Sequence, residues 1–186
     1  QLFQLEKRDE KLYIKTYGNT QKGSVKLKKG MQVVTQAAHD VNADILVLQM
    51  GSNGGWDSYD ELIAQYQAMI EKSGTQCYII IGDTDNPTEA YDSEQYESDI
   101  EVGTKDNVWE AALREAFGEH FINMRAFMIE HGLETAGLEP TEQDLDDLAN
   151  GRVPEQLKDD YTHFNSYGYY AMGAAVYQKG VELGYW

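Results

Sequence analysis

The chain has 186 residues, the size of one domain with a hydrophobic core of its own. Its formal net charge of -17 and isoelectric point near 4.4 argue against a nucleic-acid-binding protein, because phosphate contacts need a surplus of Lys and Arg. No apolar stretch reaches the roughly 18 residues that a membrane-spanning helix needs.

The first forty residues predict a helix end, a strand, a loop and a helix. Residues 1–10 place three apolar side chains before a run of charges, which favours the end of an amphipathic helix. Residues 11–17 alternate as a strand does. Residues 18–24 are rich in turn formers, and the apolar spacing over 24–42 favours a helix.

The next segment repeats the order strand, loop, helix. Residues 44–50 are apolar on both faces, which favours a central strand of a parallel sheet. They end at a glycine-rich turn over 51–55, after which Asp57 or Ser58 is expected to cap a helix. Residues 76–81 predict a second buried strand. This order predicts an α/β fold of three layers with parallel strands.

Residues 82–106 are acidic and poor in apolar side chains, which predicts a surface insertion. Asp83, Asp85 and Asn86 carry oxygen ligands of the kind that Ca²⁺ prefers, but they lack the spacing of an EF-hand loop. An ordinary acidic loop is therefore the favoured interpretation.

The C-terminal half predicts mainly helices. They are expected over 107–117 and 124–131, with a short strand over 120–123 before the second of them. A capping pattern at Thr141 begins a short acidic helix, and residues 166–183 close the domain with another helix.

A carboxylate and a histidine stand three residues apart just before this closing helix. A carboxylate that fixes one nitrogen of an imidazole ring leaves the other nitrogen to take a proton. Asp160 and His163 are therefore candidates for a catalytic pair. The alternative is an acidic surface turn before a helix whose N-cap is Ser166.

Together, the motifs Asp160-Tyr-Thr-His163 and Asn165-Ser-Tyr-Gly168-Tyr resemble the last block of the SGNH (GDSL) family of serine esterases and acyl hydrolases. The resemblance implies a flavodoxin-like α/β/α fold in three layers with a central parallel sheet. It also implies that His163 is the general base of a Ser-His-Asp triad and that Asp160 orients it.

Two further loops resemble blocks that form the oxyanion hole in this family. Gly51-Ser-Asn53 follows a predicted strand and resembles the third block, which makes the Asn53 amide one donor. Gly23 resembles the glycine of the second block, whose N–H is another donor, and Gly18 is the alternative. Substrate contacts are expected from Gly51, Ser52 and Trp56. The Trp56 ring is expected to stack on sugars, unless it makes an apolar contact at the start of the next helix.

The family's Gly-Asp-Ser block, which carries the nucleophile, is not present in these residues. Ser24 and Ser52 lie beside oxyanion positions and would need a different geometry. In the family the first strand lies between those that here are 11–17 and 44–50, so its loss would leave two unpaired inner edges. We therefore expect Gln1 to lie within the first helix, and the first strand to come from a preceding segment or a partner chain.

The resemblance implies a serine esterase or deacetylase that hydrolyses acyl esters, above all acetyl esters, on carbohydrate or cell-wall substrates without a metal ion or organic cofactor. It covers residues 1–186 as a single, N-terminally incomplete domain, and a secreted or cell-surface bacterial protein is expected. One alternative is a non-catalytic SGNH-fold module for binding or assembly, completed by a partner strand. Another is acyl transfer by the same residues.

Overall fold

The structure, a computed structural model, describes residues 2–8, 11–17, 44–51, 55–82, 106–160 and 163–186. Contacts within the chain divide it into two compact units, Gln1–His39 and Asp40–Trp186. The single domain expected over residues 1–186 stays a prediction. The predicted helix over 24–42 and nearly all of the acidic insertion over 82–106 lie outside the described residues.

The first unit contains an antiparallel hairpin of strands β1 (Leu2–Arg8) and β2 (Lys11–Tyr17). The strand predicted over 11–17 is confirmed, but the helix end predicted over 1–10 is wrong. A helix of ten residues is marginal by itself. β2 is rich in β-branched and aromatic residues, and it instead pairs with β1 along the whole length of β1.

This hairpin removes the basis of the expected gap beside β2. That expectation placed β2 next to a missing strand of the parallel sheet, whereas its partner is β1 and the pairing is antiparallel. The placement of Gln1 within a first helix is also wrong, because a strand begins at Leu2. The argument from two unpaired inner edges therefore no longer applies.

The second unit is a mixed α/β structure built on a parallel sheet. Its described strands are β3 (Leu46–Leu48), β4 (Tyr78–Ile81) and β5 (Phe121–Ile122), in the order β3-β4-β5. All three strands confirm predictions, and each is shorter than the apolar run that predicted it. The central position predicted for β3 is not observed, because among the described residues β3 is an edge strand and its Val47 is 41% exposed.

Five helices complete the described part of this unit: α1 (Tyr59–Ser73), α2 (Val108–Phe117), α3 (Met124–Ala136), α4 (Glu142–Ala149) and α5 (Ser166–Glu182). All five were predicted, and α3 is longer than expected by more than one turn. Ser58, Asn107 and Thr141 each cap a helix through the side chain. None of the described helices combines the length and the apolar character that crossing a bilayer requires.

Helices pack on both faces of the sheet because successive strand residues point to opposite sides. Ile79 and Ile81 of β4 belong to a core cluster formed with α3 and α5. Ile80, between them, belongs to a second cluster with α1 and α2, whose members include Leu62, Tyr66, Trp109 and Leu113. Helix α5, which begins three residues after His163, contributes to the first cluster. This packing fixes the position of the helix on the sheet.

Candidate functional site

Asp160 and His163 form a hydrogen-bonded pair. The His163 ring Nδ1 lies 2.9 Å from Asp160 Oδ2 and 3.0 Å from Oδ1, and the His163 backbone N–H donates to Oδ1 at 2.8 Å. One carboxylate thus holds both the ring and the backbone of the histidine. With Nδ1–H donating to the carboxylate, Nε2 is the proton-accepting nitrogen of the neutral ring, as a general base requires.

Asn165 fixes this turn at the start of α5. Its Oδ1 accepts hydrogen bonds from the N–H groups of Tyr167 and Gly168, at 2.9 and 3.2 Å. Its Nδ2 donates to two backbone carbonyls of the preceding segment, at 2.8 and 3.1 Å. Asn165 is therefore the N-cap of α5, and the prediction of Ser166 as N-cap is wrong.

The first turn of α5 packs tightly against the segment around the pair. Phe164, next to His163, is buried in the core, and its backbone forms an antiparallel bridge with Lys158. A Cβ added at Gly168 would lie 2.2 Å from the Leu157 carbonyl oxygen and 2.8 Å from Phe164 Cβ. Only glycine fits there, so steric hindrance explains why the Gly-Tyr motif has a glycine at this position.

A buried carboxylate on α4 holds the segment that leads into the turn. Asp144 accepts hydrogen bonds from the Gln156 backbone N–H at 3.0 Å and from Gln156 Nε2 at 2.6 Å. The Gln156 carbonyl in turn accepts from Asn165 Nδ2 at 2.8 Å. The sequence predicted the helix cap at Thr141, but this link between α4 and the turn was missed.

Asp144 should make the stability of this region depend on pH. Burial alone would raise the pKa of Asp144, but hydrogen bonds from Thr141 and Gln156 outweigh it and hold the pKa below the ordinary value of 3.8. Such a carboxylate stabilises the fold above its unfolded-state pKa, and this contribution is lost as the pH falls through the lower folded-state pKa.

We expect Asp144→Asn to lower the free energy of unfolding by about 1 to 3 kcal/mol at pH 7. The difference from the wild type should shrink below about pH 4, where the carboxylate becomes protonated. Urea denaturation at several pH values measures both effects. Glu142→Gln, on the exposed side of the same helix, is the matched control and should change little. A difference for Asp144→Asn that stays constant down to pH 3 would contradict the assignment.

Gly51 follows β3 in a conformation that favours glycine. Its φ is +121°, and a Cβ there would lie 2.7 Å from Trp109 Cζ2. The Gly51 carbonyl accepts a hydrogen bond from Trp56 Nε1 at 2.9 Å, and the Gly55 carbonyl accepts one from an α1 side chain at the same distance. Gly51 and Gly55, which flank the predicted oxyanion donor Asn53 in sequence, are therefore both anchored.

Trp56 is buried, not exposed. It is 3% exposed, and its ring centroid lies 5.6 Å from that of Tyr59 and 5.8 Å from that of Trp109. The expectation that Trp56 stacks on sugars is wrong, because the side chain belongs to the core beside α1. The alternative, an apolar contact at the start of this helix, is confirmed.

The remaining predicted site residues lie outside the described part of the chain: Gly18, Gly23, Ser24, Ser52 and Asn53. Their roles as oxyanion donors, substrate contacts or nucleophiles stay predictions. Within the described residues, no group of three or more His, Cys, Asp and Glu is arranged to hold a metal ion.

The far end of α5 indicates which edge of the sheet the Asp160–His163 pair faces. The Tyr185 hydroxyl, just beyond α5, lies 3.2 Å from the Tyr78 backbone nitrogen at the amino end of β4. Helix α5 packs on the sheet in between, so its N-terminus points toward the carboxyl ends of the strands. Gly51 follows β3 at this same edge, where parallel α/β sheets bind their ligands.

A buried ion pair links the starts of α2 and α3 and was missed from the sequence. Arg125 donates to both carboxylate oxygens of Glu110, at 2.8 and 2.7 Å, and both residues are fully buried. Asn123 Nδ2 donates to Glu110 at 3.0 Å and to Asp106 at 2.7 Å. Glu110 also accepts from the Asn107 backbone N–H, and Asn123 Oδ1 from the Ala126 backbone N–H, so these side chains hold the starts of both helices. This indicates a structural role.

The family resemblance rests on the sequence blocks and on the arrangement of the Asp160–His163 pair, and membership of the SGNH family stays a prediction. A comparison of the chain with protein-family models, with curated proteins and with solved structures finds no match in any of the three.

Proposed function

We propose that this chain belongs to an SGNH-type serine esterase or deacetylase that hydrolyses acyl esters, above all acetyl esters, on carbohydrate or cell-wall substrates. The observation that carries the proposal is the Asp160–His163 pair, whose ring Nδ1 and carboxylate oxygen lie 2.9 Å apart, at the N-terminus of the last helix. The parallel sheet with helices on both faces agrees with the three-layer, flavodoxin-like fold that the proposal requires.

The proposed reaction is an acyl transfer to water in two steps. His163 Nε2 takes the proton of the nucleophilic serine as its oxygen attacks the ester carbonyl, and Asp160 stabilises the imidazolium. The Asn53 amide stabilises the oxyanion as one of its donors. His163 then protonates the leaving alcohol, and water releases the acid from the acyl-enzyme by the same route.

The edge of β3 offers a place for the strand that carries the nucleophile. Val47 is 41% exposed although the strand is entirely apolar, and in the described residues β3 is paired only with β4. A strand added along this edge would place side chains beside Val47, and in a parallel alignment its carboxyl end would lie beside Gly51. Either a segment preceding residue 1 or a partner chain can supply it.

Labelling of the complete protein with a fluorophosphonate, followed by peptide mapping, tests this proposal. We expect one labelled serine, in a Gly-Asp-Ser segment that precedes residue 1. A label on Ser24 or Ser52 would show that the nucleophile lies within this chain. If no serine is labelled and 4-nitrophenyl acetate is not hydrolysed, the proposed esterase activity is contradicted. This result would favour a non-catalytic module whose β3 edge binds a partner strand.

A further inference from the structure

The solvent-facing side of α5 carries a row of exposed tyrosines. Tyr170 and Tyr177 are 65% and 61% exposed, and Tyr167 and Val181 are about half exposed. At 3.6 residues per turn these four lie on one side of the helix, and the other positions on that side are small. We call this surface the tyrosine strip; its members are Ser166, Tyr167, Tyr170, Gly173, Ala174, Tyr177 and Val181.

The strip is uncharged and is extended by a tryptophan. None of its positions carries a charged side chain, although the chain has a net charge of -17. Trp186 stacks on Tyr177 with ring centroids 6.0 Å apart and planes 16° apart, and its indole N–H donates to the Tyr177 carbonyl. The aromatic surface therefore continues past the end of the helix.

The dimensions of the strip suit a narrow, extended ligand rather than a folded partner. Its length along the helix is about 22 Å, and a single helix face is about 10 Å wide, which gives roughly 200 Å². A stable protein interface buries about 800 Å² on each partner. The strip alone is therefore too small for a second copy of the chain.

The chemistry of the strip matches a neutral sugar chain. Tyrosine offers a rigid, apolar ring face and a hydroxyl for hydrogen bonds, and sugar rings offer apolar C–H faces rimmed by hydroxyls. Tyr170 and Tyr177 are seven residues apart, about 10.5 Å along the helix, which is close to the length of a disaccharide in an extended glycan. An uncharged strip has no counterion for a charged polymer.

The tyrosine strip begins beside the Asp160–His163 pair. Helix α5 starts three residues after His163, and the side chains of His163 and Asp160 are 65% and 51% exposed. An exposed pair can reach an ester group on a long polymer, whereas a deep pocket would exclude the polymer.

We propose that the tyrosine strip binds the main chain of a neutral, extended polysaccharide and holds its ester groups near His163. The ester step rests on the function proposed above. The binding step does not, because it requires neither a nucleophile nor a proton acceptor.

Isothermal titration calorimetry of the complete protein tests the binding step. The probes are hexasaccharides of β-1,4-linked glucose, xylose, mannose and N-acetylglucosamine. We expect at least one to bind, and Tyr170→Ala and Tyr177→Ala each to weaken binding by about tenfold. Tyr177→Phe keeps the ring and should bind as the wild type does. Tyr169→Ala is the matched control, since Tyr169 is 55% exposed but lies outside the strip.

The outcomes separate this inference from the proposed esterase activity. His163→Ala should bind the hexasaccharide unchanged. If the wild type binds a hexasaccharide but hydrolyses no ester, the strip is supported and the esterase is contradicted. Hydrolysis of a small acetyl ester with no binding of any hexasaccharide would overturn the inference alone. The inference would also be overturned if Tyr170→Ala and Tyr177→Ala bind the hexasaccharide as the wild type does. It would be overturned as well if the protein forms dimers that Tyr170→Ala abolishes.

Discussion

Replacing His163 with Ala is expected to abolish ester hydrolysis by the complete protein, with kcat lowered by about 10³-fold or more. The serine would lose its proton acceptor, and the leaving alcohol would lose its proton donor. The fold should be retained within about 0.5 kcal/mol, since the side chain is 65% exposed. Hydrolysis of 4-nitrophenyl acetate and thermal unfolding measure the two quantities.

His131 provides a matched control for this experiment. It is also an exposed histidine near a carboxylate, with Nε2 3.7 Å from Glu130 Oε2, but it lies on α3 away from the turn. His131→Ala should leave turnover unchanged. If His163→Ala keeps its turnover, the pair is an acidic surface turn at the start of α5 and the esterase assignment fails.

The features predicted correctly are those that neighbouring residues decide. The cap at Thr141 is a pair of reciprocal hydrogen bonds within four residues of sequence, so the residue types alone indicate it. The strand over 76–81 is an apolar run between turn formers, and β4 lies within it. The Asp160–His163 hydrogen bond is likewise local, because three residues of a tight turn bring the two side chains together.

The predictions that failed depend on residues that are distant in sequence, or on a choice between two residue types that suit the same position equally well. Residues 1–10 form a strand because β2 pairs with them, and a pattern of ten residues does not contain its partner. Trp56 is buried by Trp109, which is 53 residues away in sequence. Asn165 and Ser166 are both good N-caps. The Asn165 side chain also donates to the Gln156 and Lys158 carbonyls, and these contacts with the preceding segment favour Asn165.

The Glu110–Arg125 pair also joins residues that are distant in sequence, and breaking it should have the largest effect on stability. Arg125→Met would leave the Glu110 carboxylate buried without its cation, which costs about 3 to 5 kcal/mol. Glu110→Met would leave the Arg125 guanidinium in the same position and should cost a similar amount. Urea denaturation of each variant measures the loss.

The double variant distinguishes a buried charge from lost packing. With both residues changed to Met, no charge is left buried, so the loss should be smaller than that of either single variant. Arg114→Met is the surface control. Its ion pair with Asp106 is partly exposed and should contribute about 1 kcal/mol or less. Losses that simply add in the double variant would mean that the pair acts through packing volume, and the electrostatic explanation of this link between α2 and α3 would be wrong.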